Sequence, residues 1–294
     1  MGNLISANHT RGVFLTNASG NVIQGNFIGT GPDGLSPLGN RFHNIECEAG
    51  TVNTVIGGPG GAGNHIAYAQ TVYAGVRIRE GSLNNLVDGN SIFANGALGI
   101  DLGTAGVTPH DPCDTDTGAN RLQNFPVLAQ AVSGSGTGVR GTLNSAAGTS
   151  FRLQFFASPV CDASGNGEGQ AYLGDATVMT DAACNGAFVT KLPVAVPPGW
   201  VITATATDPA SNTSEFSMCV PVAAVPRLNL SFAGALVTLS WTNTPGGFVL
   251  KQTASLAPPV QWTSVTNAVT SLGGQFAVSF APHAGNCFYA LSFE

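Results

Sequence analysis

The amino-acid sequence contains an internal repeat, which restricts the folds that the chain can adopt. Residues 3–8 and 12–15 (Asn-Leu-Ile-Ser-Ala-Asn, then Gly-Val-Phe-Leu) match residues 90–95 and 99–102 at a constant offset of 87 residues. A looser copy runs through residues 44–66. Self-similarity at a short spacing is typical of repeat architectures, in which each unit packs on its neighbours. The sequence therefore predicts a stack of similar units.

Each unit contains three very short apolar stretches separated by Gly or Asn, and none has a helical period. The units begin near residues 12, 44, 75 and 99, which are 32, 31 and 24 residues apart. Three strands per unit predict one coil of a parallel β-helix. Aligned apolar residues would then stack in inward columns, Val13, Ile45, Val76 and Ile100 in one and Leu15, Cys47, Ile78 and Leu102 in the next.

The same alignment makes two further predictions about the stack. Cys47 occupies an aliphatic position in its column, which indicates a buried thiol. Four asparagines recur at one turn, where asparagine tolerates a left-handed backbone, and stacked amides there would bond along the axis. They are Asn3, Asn26, Asn64 and Asn90.

Composition excludes several classes of protein. Among 294 residues, 10 are Lys or Arg, 16 are Asp or Glu and 39 are Gly. Charged helices and coiled coils need more charge than this, and 43% apolar residues argue against disorder. The excess of acids disfavours nucleic-acid binding. The sequence shows no apolar window of membrane-spanning length and no signal peptide after Met1, so no membrane span is expected.

The repeat also resembles a known family. Residues 25–30 (Gly-Asn-x-Ile-Gly-Thr), 31–40, 56–58 (Ile-Gly-Gly) and 63–66 (Gly-Asn-x-Ile) are similar to bacterial right-handed parallel β-helix repeat proteins, and the likeness continues through 111–126. The resemblance implies a large secreted or surface protein and a β-helix over residues 1–125. Most members of this family have no assigned activity. Because Met1 falls inside a repeat, further coils are expected upstream.

The chain changes character after residue 126. Short stretches that alternate with a period of two predict an antiparallel, immunoglobulin-like β-sandwich over residues 126–222. Residues 206–216 resemble the final hairpin of bacterial Ig-like modules. A linker rich in Pro and Ala leads into more short strands, which predict a small β-sandwich over residues 223–294. The expected fold class is all-β, a right-handed parallel β-helix followed by two antiparallel β-sandwich domains.

The positions of the six cysteines predict one disulfide. Cys161 and Cys219 both lie in the Ig-like module, and in an exported protein they are expected to form a disulfide. The pairing of Cys113, Cys184 and Cys287 stays open.

Charged residues cluster on one predicted strand position. Glu46, Arg77 and Asp101 align with one another, and Glu48 aligns with Arg79, so two charge ladders are expected on an outward face with coils about 4.8 Å apart. The carboxylates could act as acid and base on a carbohydrate whose anionic groups the arginines hold. Cross-strand salt bridges that keep the face in register are the other interpretation. No cofactor other than calcium is indicated.

Two acidic loops have the spacing of calcium ligands. Asp111, Asp114 and Asp116 fall at nearly alternate positions before a glycine. A second set imitates the start of an EF-hand loop but has Leu173 where the closing Glu belongs; it comprises Asp162, Ser164, Asn166 and Glu168. In both loops a turn capped by its own side chains is the alternative.

We therefore expect a non-enzymatic, exported or cell-surface protein that adheres to, or binds, a polysaccharide or cell-envelope component through the β-helix face. The alternative is a polysaccharide lyase or glycoside hydrolase that uses the Glu46, Glu48, Arg77, Arg79 and Asp101 cluster.

Overall fold

Eleven very short strands form the first part of the chain. The computed structural model describes residues 2–242, 248–282 and 284–293. The strands are β1 (Leu4–Ile5), β2 (Val13–Leu15), β3 (Val22–Ile23), β4 (Phe27–Ile28), β5 (Ile45–Cys47), β6 (Val55–Gly57), β7 (His65–Ala67), β8 (Val76–Ile78), β9 (Leu86–Asp88), β10 (Ser91–Phe93) and β11 (Ile100–Leu102).

These strands pair into three sheets with orders β1-β4-β7-β10, β2-β5-β8-β11 and β3-β6-β9. Every pairing among them is parallel. The pairs Val13↔Ile45, Ile45↔Val76 and Val76↔Ile100 follow the repeat alignment. We call residues 2–103 the parallel stack.

Aliphatic side chains fill the centre of the parallel stack because every second residue of a strand points inward. Isoleucines dominate this core, and Cys47 lies among them fully buried, as predicted. Burial raises the pKa of the Cys47 thiol to about 12, so the thiol stays protonated and unreactive near neutral pH.

Two asparagine ladders run along the turns of the parallel stack. The predicted one passes from Asn3 through Asn26 and Asn64 to Asn90, with each Nδ2 donating to the next Oδ1 at 2.8–3.0 Å. A second ladder has the same donor direction and ends in a carboxylate; it comprises Asn8, Asn40, Asn44, Asn95 and Glu168. The ladders satisfy buried amides that would otherwise cost free energy.

A helical turn (Ala119–Leu122) leads into seven longer strands. They are β12 (Val127–Ser133), β13 (Thr137–Asn144), β14 (Ser150–Ser158), β15 (Ala171–Met179), β16 (Asn185–Leu192), β17 (Val201–Thr207) and β18 (Val220–Ala224). Their hydrogen bonds join them in one sheet of order β15-β14-β17-β18-β12-β13-β16. We call β12–β18 the antiparallel module, after the pairings of β13 with β16 and of β14 with β15 and β17.

The antiparallel module differs from a sandwich of two separate sheets. Its edge strands β15 and β16 lie beside each other, so the single sheet nearly closes around a core that includes Phe151, Phe155 and Ile202. Strands β12 and β18 make the link that a two-sheet sandwich lacks.

The last strands are β19 (Asn229–Ala233), β20 (Leu236–Thr242), β21 (Phe248–Thr253), β22 (Thr263–Ser264), β23 (Thr270–Leu272), β24 (Gln275–Phe280) and β25 (Phe288–Phe293). They form two sheets, β19-β20-β24-β23 and β22-β21-β25, around a small core that contains Trp241, Leu239 and Val278. The protein is thus all-β, with parallel and antiparallel sheets.

The chain divides into two compact units, residues 1–131 with 135–222, and residues 132–134 with 223–294. The predicted boundary between residues 125 and 126 falls inside the first unit. Within the described ranges, no helix has the length and apolar character needed to cross a membrane.

Candidate functional site

The charged residues of the repeat occupy one column of the sheet β2-β5-β8-β11. Glu46 pairs with Arg77, and Arg77 with Asp101, in the predicted register. On the other side of β5, Phe14 of β2 is paired with Glu46. The column lies outside the apolar core, but it is not exposed to solvent as the sequence led us to expect: the Glu46 side chain is 0% exposed and those of Arg77 and Asp101 are 3% and 4% exposed.

Two arginines cover the carboxylate of Glu46. Arg11 Nε donates to Glu46 Oε2, and Arg79 Nε donates to Glu46 Oε1 at 2.8 Å. Burial by itself would raise the pKa of Glu46, but these two hydrogen bonds outweigh it and hold that pKa below its usual range. Glu46 is therefore ionised and fully engaged, which suits a structural ion pair and leaves it without a proton to donate.

The second ion pair joins Arg77 to Asp101 beneath the loop that follows β11. Arg77 also donates to the Gly103 carbonyl, and Gly106 N donates to Asp101 Oδ1 at 3.3 Å. Burial raises the pKa of Asp101, although the charge of Arg77 lowers it in part. The loop thus shields the pair from solvent.

The predicted Glu48–Arg79 ladder does not form. In the described chain Glu48 has no ion pair, because the Arg79 side chain reaches sideways to Glu46. A guanidinium on a flexible stem selects the carboxylate that is already desolvated, where the charge interaction is stronger.

Aromatic side chains surround Arg11. Its guanidinium carbon lies 4.6 Å from the ring centroid of Phe14 and 5.7 Å from that of Phe42. Phe42 contacts Tyr73, with their ring centroids 4.9 Å apart. We call Arg11, Phe14, Phe42, Tyr73 and Arg79 the aromatic–arginine face. Only Phe14 and Arg79 lie at positions that the repeat alignment selected; the others lie just before strands, where the repeat carries no signal.

His43 lies behind this face as a buried, neutral side chain. Its Nδ1 accepts a hydrogen bond from Ala74 N at 3.0 Å, and its ring meets Tyr73 edge-on. Burial lowers the pKa of His43 to about 4, so that its imidazole is uncharged at neutral pH. His43 therefore supports the packing of Tyr73.

Asp111, Asp114 and Asp116 converge after β11. One carboxylate oxygen from each lies within 4.8 Å of the others. Asp111 Oδ1 and Asp116 Oδ1 are buried without a hydrogen-bond partner. Burial, together with the two neighbouring carboxylates, raises the pKa of Asp114 to about 6, although hydrogen bonds from Ser145 and Asn124 lower it in part. A divalent cation would bind the unpaired oxygens and reduce the repulsion between the three carboxylates.

Part of the same loop is a capped turn. Asp111 Oδ2 accepts from both the backbone N and the Oγ1 of Thr115, at 2.8 Å each. The alternative that the sequence left open thus accounts for Asp111 Oδ2, but it leaves Asp111 Oδ1 and Asp116 Oδ1 unexplained.

The second acidic loop is held by its own hydrogen bonds. Asp162 Oδ1 accepts from Ser164 N at 2.8 Å, and Asn166 Nδ2 donates to a backbone carbonyl of another segment. Glu168 faces away into the parallel stack and accepts from Asn95. These contacts make the loop a turn without requiring a cation.

Two disulfides lie in the first unit. Cys161 joins Cys219, the pair that the sequence analysis selected, and Cys113 joins Cys184, a pairing that it left open. Cys287 is a free thiol.

A cavity of about 330 Å³ opens where the parallel stack meets the antiparallel module. It is lined by Phe93, Ala94, residues 158–163, Glu168 and Gln170. Burial raises the pKa of Glu168 to about 8, against the hydrogen bonds from Asn95 that lower it. The carboxylate forms the wall of the cavity nearest the second asparagine ladder.

Glu215 is a further buried carboxylate, which the sequence analysis missed. It accepts hydrogen bonds from Leu102 N at 2.9 Å and Thr108 N at 2.8 Å. Burial raises its pKa from 4.5 to about 7. Because the raised pKa lies in the folded state, protonation favours folding, and the stabilisation is complete below about pH 4.5 and lost as the pH rises through about 7.

We expect Glu215→Gln to remove this pH dependence. Urea unfolding at pH 4.5, 6 and 8 should show the wild-type protein losing stability between the first and last values by a larger amount than the variant does. Equal losses in both proteins would show that Glu215 does not titrate in this range.

Comparison of the sequence with models of protein families and with curated proteins finds no match.

Proposed function

We propose that the parallel stack is a right-handed β-helix, followed by the nearly closed antiparallel module and by a small β-sandwich. We also propose that the chain binds a polysaccharide through the aromatic–arginine face without catalysing a reaction. The β-helix is supported by the three parallel sheets, each of which takes one strand from successive coils. The observation that carries the binding proposal is that Phe14 is 47% exposed and that its ring lies beside the guanidinium of Arg11.

The chemistry of this face suits a sugar chain. Aromatic rings offer apolar area to the C–H faces of sugars, and guanidinium groups offer several N–H donors to hydroxyl and carboxylate oxygens. The side chains of Arg11 and Arg79 are 31% and 39% exposed, so both reach solvent as well as Glu46. Stacked coils repeat at about 4.8 Å, which gives an extended surface for an extended polymer.

The enzymatic alternative has less support. Hydrolysis needs a carboxylic acid that can reach the substrate and give up a proton. Glu46 is ionised and enclosed by two arginines, and Asp101 is buried against Arg77. Glu46 and Asp101 therefore lack the access that catalysis requires, which leaves Glu48 as the one partly exposed carboxylate of the predicted cluster.

Export to the extracellular space or cell surface belongs to the same proposal. Two disulfides stabilise the first unit, and such bonds persist in oxidising compartments. A polysaccharide or cell-envelope component is then the accessible partner.

The binding test replaces Phe14 by alanine. Affinity electrophoresis through gels that contain a panel of neutral and acidic polysaccharides should show retardation of the wild-type protein, and Phe14→Ala should weaken the affinity about tenfold, or about 1.4 kcal/mol. Val22→Ala is the matched control, because Val22 is exposed on β3, in a different sheet.

The same panel tests the absence of catalysis. Reducing ends and unsaturated products are measured after long incubation with the wild-type protein. Product release that Glu46→Gln abolishes would establish the enzymatic alternative. Lack of retardation by every polysaccharide would overturn the binding proposal.

We also propose that Asp111, Asp114 and Asp116 bind Ca²⁺. The support is the pair of buried, unpartnered oxygens, which with Asp114 supply hard oxygen ligands; water would complete the coordination. The ion would stabilise the loop after β11 and would have no catalytic role.

Calcium should raise the thermal midpoint of the protein by several degrees relative to EGTA at pH 7.5, because it binds only the folded state. Asp116→Asn should abolish the shift, whereas Asp175→Asn, at a half-exposed carboxylate in β15, should retain it. If the thermal midpoint is the same in EGTA and in millimolar calcium, the proposal of a calcium site is wrong.

A further inference from the structure

The last coil of the parallel stack, residues 84–103, would have unpaired N–H groups if nothing followed it. In a parallel sheet each strand bonds to a neighbour on both sides, so the strand at the end lacks one partner. The edge strands here are β9, β10 and β11, one from each sheet. In place of another coil, the antiparallel module and the segments around it supply acceptors for these N–H groups.

The backbone N–H of Asn84 has a different acceptor from the N–H at the same position one coil earlier. One coil earlier, Asn53 N donates to the carbonyl of Leu83 in the next coil at 3.2 Å. The corresponding Asn84 N donates to Asn212 Oδ1 at 2.7 Å. A side chain of the antiparallel module thus accepts the hydrogen bond that a backbone carbonyl accepts one coil earlier.

The same replacement occurs at residue 89. Gly58 N donates to the carbonyl of Asp88 in the next coil at 2.8 Å. The corresponding Gly89 N donates to Gln154 Oε1 at 3.2 Å. The acceptor again comes from the antiparallel module, here from β14.

The second asparagine ladder shows the replacement most directly. Ala69 N donates to Asn95 Oδ1 in the next coil at 3.1 Å. Asn95 N in turn donates to Glu168 Oε2 at 3.2 Å, and Asn95 Nδ2 donates to Glu168 Oε1 at 2.7 Å. Glu168 occupies the place of the next asparagine.

The segment 212–216 (Asn-Thr-Ser-Glu-Phe) contacts the remaining edges. Thr213 Oγ1 accepts from Val87 N at 3.0 Å on β9, and Glu215 Oε1 accepts from Leu102 N at 2.9 Å on β11. Two of the three sheets are therefore closed by side chains that lie within a few residues of one another.

Phe216 closes the apolar column in the same way. Its ring belongs to the core of the parallel stack and packs edge-to-face on Phe156, with centroids 5.3 Å apart. A Cβ atom on Gly99 would come within 2.9 Å of the Phe216 ring, so this glycine allows the close approach. The two phenylalanines cover the last inward residues as another coil would.

We propose that the segment 212–216, together with Gln154 and Glu168, acts as a substitute coil that terminates the parallel stack. Its polar side chains accept from edge N–H groups on β9 and β11 and from Asn95, just after β10. On β10 itself Ile92 N donates to the Gly169 carbonyl at 2.9 Å, and Phe216 seals the core. The antiparallel module therefore prevents edge-to-edge association of the stack, which is a function separate from polysaccharide binding.

The test measures amide hydrogen exchange by NMR in the intact protein. In the wild type, the amides of Val87, Gly89 and Leu102 should be protected as strongly as the amide of Ile45, which donates to Gly75 O inside the stack. Thr213→Val removes one acceptor at nearly constant volume and should raise the exchange rate of Val87 at least tenfold. Thr142→Val, at an exposed position of β13, is the control and should leave that rate unchanged.

Phe216→Ala should speed exchange at all three edge amides and cause concentration-dependent association in sedimentation velocity experiments. Phe188→Ala, which truncates a ring in the core of the antiparallel module, should destabilise the module and leave Val87 protected under native conditions. Edge amides that exchange in the wild type as fast as exposed ones would overturn the proposal, and so would a Thr213→Val variant that leaves Val87 unchanged. The exchange rates of the edge amides in the wild-type protein test the proposal even if a variant does not fold.

Discussion

Replacing Asp101 by asparagine is expected to lower the free energy of unfolding by about 3–5 kcal/mol, because it leaves the guanidinium of Arg77 buried without a counter-ion. Both side chains are almost fully enclosed, and the Gly103 carbonyl cannot neutralise a full positive charge. Urea unfolding at pH 7, followed by circular dichroism, measures the change.

The control for Asp101→Asn is the surface pair of Arg152 and Asp175. Their oxygen and nitrogen atoms lie 2.7 Å apart, but the Asp175 side chain is 45% exposed, and water screens the interaction. Asp175→Asn should therefore cost about 1 kcal/mol or less. If Asp101→Asn cost no more than Asp175→Asn, the buried pair would not contribute to stability in the way that its burial indicates.

Removing the disulfide between Cys113 and Cys184 should cost about 4 kcal/mol. The bond closes a loop whose ends are 71 residues apart, and opening it restores chain entropy to the unfolded state. The double variant Cys113→Ser with Cys184→Ser is compared with the wild type in urea, without reductant.

Cys287→Ser is the control for this second experiment, because Cys287 is a free thiol and its replacement opens no loop. It should change stability by about 0.5 kcal/mol or less. A loss below about 1 kcal/mol in the double variant would show that other contacts already restrict the loop in the unfolded chain.

The Arg77–Asp101 ion pair and the Cys113–Cys184 disulfide both lie where the parallel stack ends. Asp101 lies on its last strand in the sheet β2-β5-β8-β11, and Cys113 anchors the loop that follows to the turn before β16. The proposed calcium site lies in the same loop. The loop is thus held by an ion pair, a disulfide and carboxylates, which compensate for its lack of regular hydrogen bonding.

The repeat alignment was sufficient to predict the parallel register. Val13, Ile45, Val76 and Ile100 pair as aligned because a one-residue slip would move every aliphatic side chain from the core to the outside. The first asparagine ladder followed from the same alignment. Periodicity carried this information because each coil repeats the environment of the previous one.

The repeat alignment could not predict which charged side chains are exposed to solvent. Alternation along a strand indicates that Glu46 points away from the core, but not that Arg11 and Arg79 cover it. Arg11 lies before β2 in a segment with no repeat, and its position depends on packing against Phe14 and Phe42. The same limit explains why the Glu48–Arg79 pair was predicted and is not observed.

Strand β15 and the closure of the antiparallel module were also missed. Residues 171–179 contain Gly174 and Asp175, which disfavour strands by themselves, and β15 is held by its pairing with β14. Because β15 depends on its neighbouring strand β14, residues 171–179 carry little strand pattern of their own.

The all-β class, the coil spacing and the inward columns could be predicted from the amino-acid sequence, because they depend on local periodicity. The Cys161–Cys219 disulfide could be predicted because both cysteines lie in one module. The folded chain was needed to show which charges are buried, how the seven strands join, and that residues 212–216 complete hydrogen bonds of the last coil. Those features depend on contacts between residues distant in the chain, such as Arg11 with Glu46, 35 positions apart, and Val87 with Thr213, 126 positions apart. A side chain's partner across such a distance is set by packing, and packing leaves no period in the sequence.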